Sequence, residues 1–225
     1  FELYGTFVVE KRFDFSTITL RTWVLDLVKT LLVSGVVLGA FLAVFFSLIA
    51  CAPKGWWLLA WGFFVSFQLL VSWLYPVVIA PLFNRFEPLA DPGLLGGITS
   101  LAERAGIRVK GIFKMDAGTR SRHSNAYFTG IGKTKRIVLF DTLLDRHTHG
   151  EILAVLAHEL GHWKLGHVRK QLALSATLSL ALFYGAFLAV THEALYTAFG
   201  FPGVSLYAGL FLLTVFGRPA GFLLS

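Results

Sequence analysis

The chain has 225 residues; 56% are hydrophobic, only 15% are charged, and the mean hydropathy is +0.69. A soluble domain is closer to half apolar and a quarter charged, so this composition argues against a soluble protein and favours a membrane protein. The single cysteine, Cys51, excludes a disulfide framework within the chain. The net charge of +7 is concentrated in residues 83–170, which hold 14 of the 20 basic residues and 8 of the 13 acids.

Two uncharged stretches in the first third of the chain predict a transmembrane hairpin. Residues 30–53 and 55–84 contain no charged side chain. Each is long enough to cross a hydrocarbon core of about 30 Å, for which a helix needs about 20 residues. The turn falls at Pro53-Lys54-Gly55, and Pro76 and Pro81 are expected to kink or end the second helix.

A small α/β unit is predicted between the hydrophobic stretches. Apolar spacing predicts a helix over 93–105, and a second helix begins near Thr148, where Glu151 three residues later completes a capping-box pattern. Branched and aromatic residues predict three strands, with a turn at 130–133 between the last two. The predicted strands are 109–115, 124–130 and 136–140.

A second uncharged pair closes the chain. Residues 171–191 and 204–217 are the predicted spans, with a loop between them, and Gly217, Arg218 and Pro219 interrupt the second. The competing interpretation, buried helices of a soluble core, is disfavoured because a chain of this length contains four such stretches.

The two hairpins place nearly all the basic residues on one side of the membrane. Residues 1–29, residues 83–170 and Arg218 share that side and hold 19 of the 20 basic residues. The positive-inside rule predicts that this side is cytoplasmic. No nucleic-acid-binding motif accompanies the charge, so we expect the lipid bilayer and no nucleic acid among the partners.

The residues His158-Glu159-Leu160-Gly161-His162 form an H-E-x-x-H motif on the helix that begins near Thr148. Residues four apart lie on one helix face, so His158 and His162 can bind one ion, and zinc is the natural occupant. Glu159 is placed to act as general base on the water that the metal activates. The alternative is a surface helix with two unrelated histidines.

A catalytic zinc needs a third protein ligand, and the remaining candidates are few. On a continuous helix His167 would point away from the zinc face, so it is expected to be an outer or surface residue. Glu193 lies in the loop between the last two spans, on the opposite side of the membrane in this topology. We therefore expect the third ligand beyond Ser225.

The strand that contains Asn125, Ala126 and Tyr127 is a candidate substrate-binding element. Zinc peptidases often hold an extended substrate against a sheet edge through main-chain hydrogen bonds. Asn125 could add a side-chain hydrogen bond to the substrate backbone or to the oxyanion. Equally, Asn125 could simply begin the strand.

Several stretches resemble the integral-membrane CAAX prenyl proteases of type I, which belong to the same peptidase family as the bacterial membrane protease HtpX. The resemblance covers nearly the whole chain and includes the motif helix. The matching stretches are Tyr4–Glu10, Pro81–Asn84, Arg120–Gly130, Lys135–Leu144 and Ile152–Lys164. It implies one zinc ion per chain, with His158 and His162 as ligands, Glu159 as catalytic acid/base and Asn125 as a substrate-contacting residue.

The expected fold is mainly α: a polytopic membrane protein with helical hairpins and a small zincin-like (gluzincin) α/β catalytic region. We expect four parts: a cytoplasmic lead-in segment (1–29), a hairpin (30–84), a catalytic region (85–170) and a second hairpin (171–225). The resemblance implies a metalloendopeptidase acting on prenylated or membrane-associated proteins or peptides. The alternatives are an HtpX-like membrane quality-control protease and, from another class, a catalytically inactive membrane scaffold.

Overall fold

The computed structural model describes residues 1–130 and 135–223, with side chains as far as Val215 in the last helix. Residues 131–133 of the predicted turn lie outside the described residues. The chain forms two compact units: Phe1–Gly39 with Gln68–Lys170, and Ala40–Phe67 with Gln171–Ser225. The predicted division into four parts is not tested by this grouping and stays a prediction.

The first unit begins with a short helical region followed by a long apolar helix. The helical region consists of α1 (Glu2–Tyr4), a π-helical turn (Gly5–Val9) and α2 (Glu10–Arg12). The long helix α3 (Leu20–Cys51) begins ten residues before the uncharged stretch. Thr19 caps it, because its hydroxyl accepts a hydrogen bond of 3.2 Å from Thr22 N.

The second long helix contains a π-helical segment at its proline. Helix α4 (Trp56–Leu74) continues through the π-helical turn Tyr75–Ile79 into α5 (Ala80–Phe83). Pro76 has no amide hydrogen to donate, so the regular hydrogen-bond ladder cannot continue there, and the wider turn takes its place. The helix ends at Asn84, whose backbone is extended. Pro76 therefore changes the helix type without ending the helix.

A four-stranded mixed sheet forms the centre of the first unit, in the order β1-β2-β4-β3. The outer pairs are antiparallel and the central pair β2–β4 is parallel. The strands are β1 (Phe86–Pro88), β2 (Gly111–Met115), β3 (Ala126–Thr129) and β4 (Arg136–Phe140). The three predicted strands are confirmed, while β1 was missed because it has only three residues and one of them is a proline.

Three helices accompany the sheet: α6 (Pro92–Arg104), α7 (Asp141–Arg146) and α8 (His149–Lys164). One apolar cluster joins α6, α8 and the sheet, and its fully buried members include Ile98, Ile137, Leu139, Ile152 and Leu156. The cluster fixes α8, the motif helix, against the sheet.

The second unit is an all-helical arrangement of apolar segments. Besides parts of α3 and α4 it contains α9 (His167–Thr191), α10 (Glu193–Ala198) and α11 (Leu206–Leu223). Tyr196 is fully buried and its hydroxyl donates to Val190 O over 2.6 Å. Gly209 is required beside this contact, because a Cβ at that position would overlap Tyr196 and Val190.

Three of the helices among the described residues are long and apolar enough to cross a membrane: Leu20–Cys51, Trp56–Phe83 and His167–Thr191. Only 6–11% of the residues in their most apolar windows are buried within the protein, so these surfaces suit contact with lipid. Helix α11 is continuous through residue 217, but its described apolar part, Leu206–Val215, is shorter than a membrane crossing. The fourth predicted span stays a prediction.

Candidate active site

The motif helix α8 begins as the sequence predicts. The Thr148 hydroxyl accepts from Glu151 N, and the Glu151 carboxylate accepts from Thr148 N over 2.8 Å. These hydrogen bonds lower the pKa of Glu151, the backbone donor being the largest cause. A similar cap begins α6, where the hydrogen bond from Leu94 N is the main reason that the pKa of Asp91 is lowered.

The apolar face of α8 determines where the histidines point. Ile152, Leu156 and Leu160 recur every four residues and are at most 2% exposed. They bury one stripe of the helix in the core, so His158 and His162 lie on the opposite, exposed side. The motif therefore reaches open space without interrupting the core.

The two motif histidines are arranged as a pair of metal ligands would be. Their Nε2 atoms are 3.1 Å apart, and the ring planes are nearly perpendicular. Two zinc–nitrogen bonds of about 2.0–2.1 Å at a tetrahedral angle would separate the nitrogens by about 3.3 Å. The donor set and its spacing thus fit a single zinc ion with only small adjustment.

Glu159 is half-buried beside this pair. Within the described part of the chain, its carboxylate makes no hydrogen bond or ion pair. A carboxylate that is not engaged in a structural contact remains able to accept a proton from a water molecule at the histidine face.

The position of His167 corrects an assumption of the sequence analysis. Helix α8 ends at Lys164, and Gly166, with a φ of +68°, turns the chain into α9. His167 therefore does not continue the helical spacing from His158; instead its Nδ1 lies 2.7 Å from His162 Nδ1. If Nε2 of His162 held a metal, its Nδ1–H would donate to His167, and this outer contact would orient the ring.

No third ligand is found among the residues that the structure describes. In those ranges, no group of three His, Cys, Asp or Glu side chains is placed to hold a metal ion. Glu193 is the first residue of α10, in the second unit. A third ligand beyond Ser225 stays a prediction.

Strand β3 is an edge strand, and α8 packs on it. Phe140 N donates to Asn125 O over 3.0 Å. Main-chain groups alternate in direction along an antiparallel strand, so those of Tyr127 point to β4 while those of Ala126 and Phe128 point away from it. We call this outer side of Ala126–Thr129 the free edge. The Asn125 side-chain oxygen covers the Ala126 N–H at 2.8 Å.

The three predicted substrate-binding residues therefore offer different groups. Asn125 and Ala126 present polar groups at the free edge, and Phe128, which sequence reasoning missed, adds its main chain. The Tyr127 side chain instead packs near Met115 and Phe140 on the other face of the sheet, and burial raises its pKa to about 12. Its role in substrate binding stays a prediction. Strand alternation was the available signal for Phe128.

A cleft formed by other described residues lies away from this site. Its volume is about 810 Å³, and it lies between α6 and β2, where Glu103, Arg108 and apolar side chains line it. None of the motif residues borders this cleft. The chemistry of the histidine pair, rather than cavity size, therefore identifies the candidate site.

Comparison with known families agrees with this site. Residues 1–85 match the model described as CAAX prenyl protease N-terminal, five membrane helices. Residues 89–222, which include the motif helix, match the model of peptidase family M48. The chain belongs to peptidase family M48. The predicted family is thus confirmed, as is the mainly helical membrane fold with a small sheet.

Curated relatives of this M48 chain carry protease names. It is 40% identical over 202 residues to CAAX prenyl protease 1 of Saccharomyces cerevisiae, an alignment that covers 88% of this chain and 44% of the relative. It is 38% identical over 172 residues to the uncharacterized metalloprotease YhfN of Bacillus subtilis, an alignment that covers 76% of this chain and 40% of the relative.

A solved structure shares the fold. The crystal structure of S. mikatae Ste24p superposes with a TM-score of 0.87 at 33% identity, covering 99% of this chain and 56% of that one. The chain spans about half the length of the curated relatives it matches. Peptidase family M48, to which the chain belongs, is a family of metalloproteases.

Proposed function

We propose that the protein is a membrane-embedded zinc metalloendopeptidase that hydrolyses a peptide bond near the C-terminus of prenylated substrates. The observation that carries the proposal is the pair of Nε2 atoms 3.1 Å apart on the exposed face of α8, with Glu159 beside them. Two imidazoles and an adjacent free carboxylate are the groups that a zinc peptidase needs on its motif helix.

In the proposed reaction His158 and His162 would hold a zinc ion, and Glu159 moves the proton. A bound zinc ion would lower the pKa of the attacking water and polarise the scissile carbonyl. The Glu159 carboxylate accepts a proton as the water oxygen bonds to the carbonyl carbon. It then delivers that proton to the amide nitrogen as the carbon–nitrogen bond breaks, so the products are a carboxylate and an amine.

The free edge of β3 is the proposed binding element for the substrate backbone. An extended peptide added there would hydrogen-bond to the outward groups of Ala126 and Phe128. The Asn125 amide would leave its contact with the Ala126 N–H and donate to a substrate carbonyl. Tyr127 would support the strand from the opposite face.

The proposed substrate class follows from the names of the relatives, which are CAAX prenyl proteases. Such substrates end in a prenylated cysteine followed by two aliphatic residues and one variable residue. A lipid-modified peptide is concentrated at the bilayer, where the apolar helices would hold this enzyme. We propose that the catalytic region is on the cytoplasmic side, because that region holds most of the positive charge.

The test uses the full-length protein in detergent with a farnesylated C-terminal peptide and its unprenylated counterpart. We expect Glu159→Gln to reduce turnover by at least about a thousandfold while about one zinc per chain remains, since only the proton carrier is lost. Zinc is measured by elemental analysis. Unchanged turnover in this variant would contradict the mechanism.

The same assay separates the competing functions. Cleavage of the farnesylated peptide but not of its unprenylated counterpart supports a CAAX-type enzyme. Equal cleavage of both, together with degradation of an unfolded membrane protein, would favour a quality-control protease. An intact, zinc-loaded wild-type protein that cleaves none of these would favour an inactive scaffold.

A further inference from the structure

Arg120 connects the catalytic region to both long apolar helices of the first unit. Its guanidinium donates two hydrogen bonds to Asp26 of α3, at 2.7 and 3.1 Å. The same group donates to Asn84 Oδ1 over 3.2 Å and to the carbonyl oxygen of Phe83, at the end of α5. One side chain thus joins three segments that are far apart in the sequence.

These contacts bring together stretches that are separate in the sequence and that resemble the CAAX prenyl proteases. Pro81–Asn84 and Arg120–Gly130 meet directly through Arg120. Tyr4–Glu10 lies close by, because Thr6 and Glu10 line a cleft of about 330 Å³ together with Asp26 and Arg120. The H-E-x-x-H motif itself lies in none of these stretches.

The Asp26–Arg120 pair is too well formed to be an incidental surface contact. The two side chains are only 18% and 25% exposed, and the contact is bidentate. Asp26 is one of three charged residues in the 32-residue helix α3. A largely buried carboxylate is costly unless it is paired, and arginine offers the planar fork that a carboxylate matches.

The segment Gly118–Asn125 links the Asp26–Arg120 pair to strand β3, the candidate substrate-binding strand. Beyond Arg120, Arg122 N donates to Phe15 O over 2.8 Å, and the His123 ring stacks on Phe15 at 4.4 Å. Further on, the Thr142 hydroxyl donates to His123 O over 2.9 Å. Asn125 O then joins β4. Hydrogen bonds and a ring stack therefore hold the segment from Arg120 to Asn125, where the free edge begins.

We propose that Asp26 and Arg120 are positioning residues that hold the 118–125 segment so that Asn125 and the free edge stay aligned with the motif face of α8. This inference rests on the proposed function. The pair touches neither substrate nor metal in the proposed reaction. It acts through the backbone of the segment, and it couples the membrane helices α3 and α5 to the peptide-binding strand.

The first test compares full-length Asp26→Asn with wild type on the farnesylated peptide. We expect kcat to fall between about tenfold and a hundredfold, because small errors in placing reacting groups are costly. KM should stay within about threefold and zinc content at one per chain. A kcat within about twofold of wild type would overturn the proposal.

A double-mutant cycle tests whether the two residues act as a pair. Arg120→Gln and Asp26→Asn together should reduce kcat no more than the more severe single change, since either change breaks the same contact. Independent, multiplicative losses would contradict the pairing. The control is Glu87→Gln, which breaks the exposed 3.7 Å ion pair with Lys114 between β1 and β2 and should change kcat by less than about twofold.

Amide hydrogen exchange gives a readout that does not depend on activity. In Asp26→Asn, peptides covering 118–126 should exchange faster while those of α8 stay unchanged. Unchanged exchange in that segment would overturn the proposal. If Asp26→Asn does not fold, Arg120→Lys keeps the charge but loses the fork, and the same loss of kcat and faster exchange are expected.

The two proposals fail in distinguishable ways. If wild type cleaves nothing, the proposed function fails, while hydrogen exchange still decides whether the pair holds the segment. If wild type cleaves, Glu159→Gln does not, and Asp26→Asn behaves as wild type in both kcat and exchange, only the positioning role is wrong.

Discussion

The backbone turn at Gly166 determines which residue the His167 side chain contacts. Counted along an uninterrupted helix it would point away from His158, but the left-handed conformation of Gly166 ends α8 and brings the His167 ring against His162. The spacing of residues predicts the relation between His158 and His162 because both lie within one helix. Residue spacing cannot predict the contact between His162 and His167, because the chain changes direction between these two residues.

We expect His167→Ala to weaken zinc binding by about tenfold or more, because the ring of His162 loses the partner that orients it. The measurement is a competitive titration of the full-length protein against a chelator of known affinity. The control is His147→Ala, whose ring lies near Glu151 at the start of α8. Equal zinc affinity in His167→Ala and wild type would show that the contact does not orient His162.

The remaining site residues differ in how far the sequence could identify them. His158, Glu159 and His162 form a local pattern whose chemistry follows from helix geometry alone. Asn125 and Ala126 require knowledge that β3 is an edge strand, which depends on the non-sequential order of the sheet.

At the scale of the element, the capping box of α8 is the feature that the sequence predicts best. It needs only Thr148 and Glu151, three residues apart, and the structure contains both of its hydrogen bonds. Strand β1 is the opposite case: three residues with a proline and a charge give no local signal, and pairing with β2 creates the strand.

We expect Thr148→Ala to lower the free energy of unfolding by about 1 kcal/mol, the usual cost of removing a helix cap. The measurement is chemical or thermal unfolding of the full-length protein in detergent, followed by helix signal. Thr99→Ala is a suitable control, because that exposed hydroxyl only returns a hydrogen bond to Leu95 O within its own helix. Equal losses in both variants would argue against a capping role.

The cap also predicts a pH dependence. Because folding lowers the pKa of Glu151 below its ordinary value of 4.5, its contribution is present above that value and is lost as the pH falls through the lower, folded pKa. Stability of wild type should therefore decline below about pH 4.5, and Glu151→Gln should remove part of that decline. Asp145→Asn, an exposed carboxylate on α7, is the control and should leave the pH profile unchanged.

At the scale of the whole molecule, hydropathy predicted the long helices well but not all their ends. Three predicted spans correspond to helices of sufficient length, although α3 begins ten residues earlier than its uncharged stretch. Asp26 and Lys29 lie in that extension, where Asp26 pairs with Arg120 and Lys29 donates to Leu82 O. Such partners come from distant residues, so a count of charges along the chain cannot anticipate them.

The side of the membrane is tested by labelling single cysteines in a variant that lacks Cys51. A cysteine at Lys135 should react with a membrane-impermeant thiol reagent only from the cytoplasmic side, since the positive-inside rule places the basic region there. A cysteine at Lys54, in the turn between α3 and α4, should react only from the opposite side. Labelling of Lys135→Cys from outside the cell would reverse the topology.

The two edge strands of the four-stranded sheet affect how readily the protein aggregates while it folds. An uncovered strand invites pairing with a neighbouring chain and hence aggregation. At one border β1 is only three residues long and ends in a proline, and its Glu87 pairs with Lys114 of β2. At the other border, Asn125 occupies the outward Ala126 N–H. The proposed peptide-binding strand β3 is thus partly protected from pairing with other chains. A substrate peptide must displace the Asn125 side-chain oxygen before it can bind the Ala126 N–H.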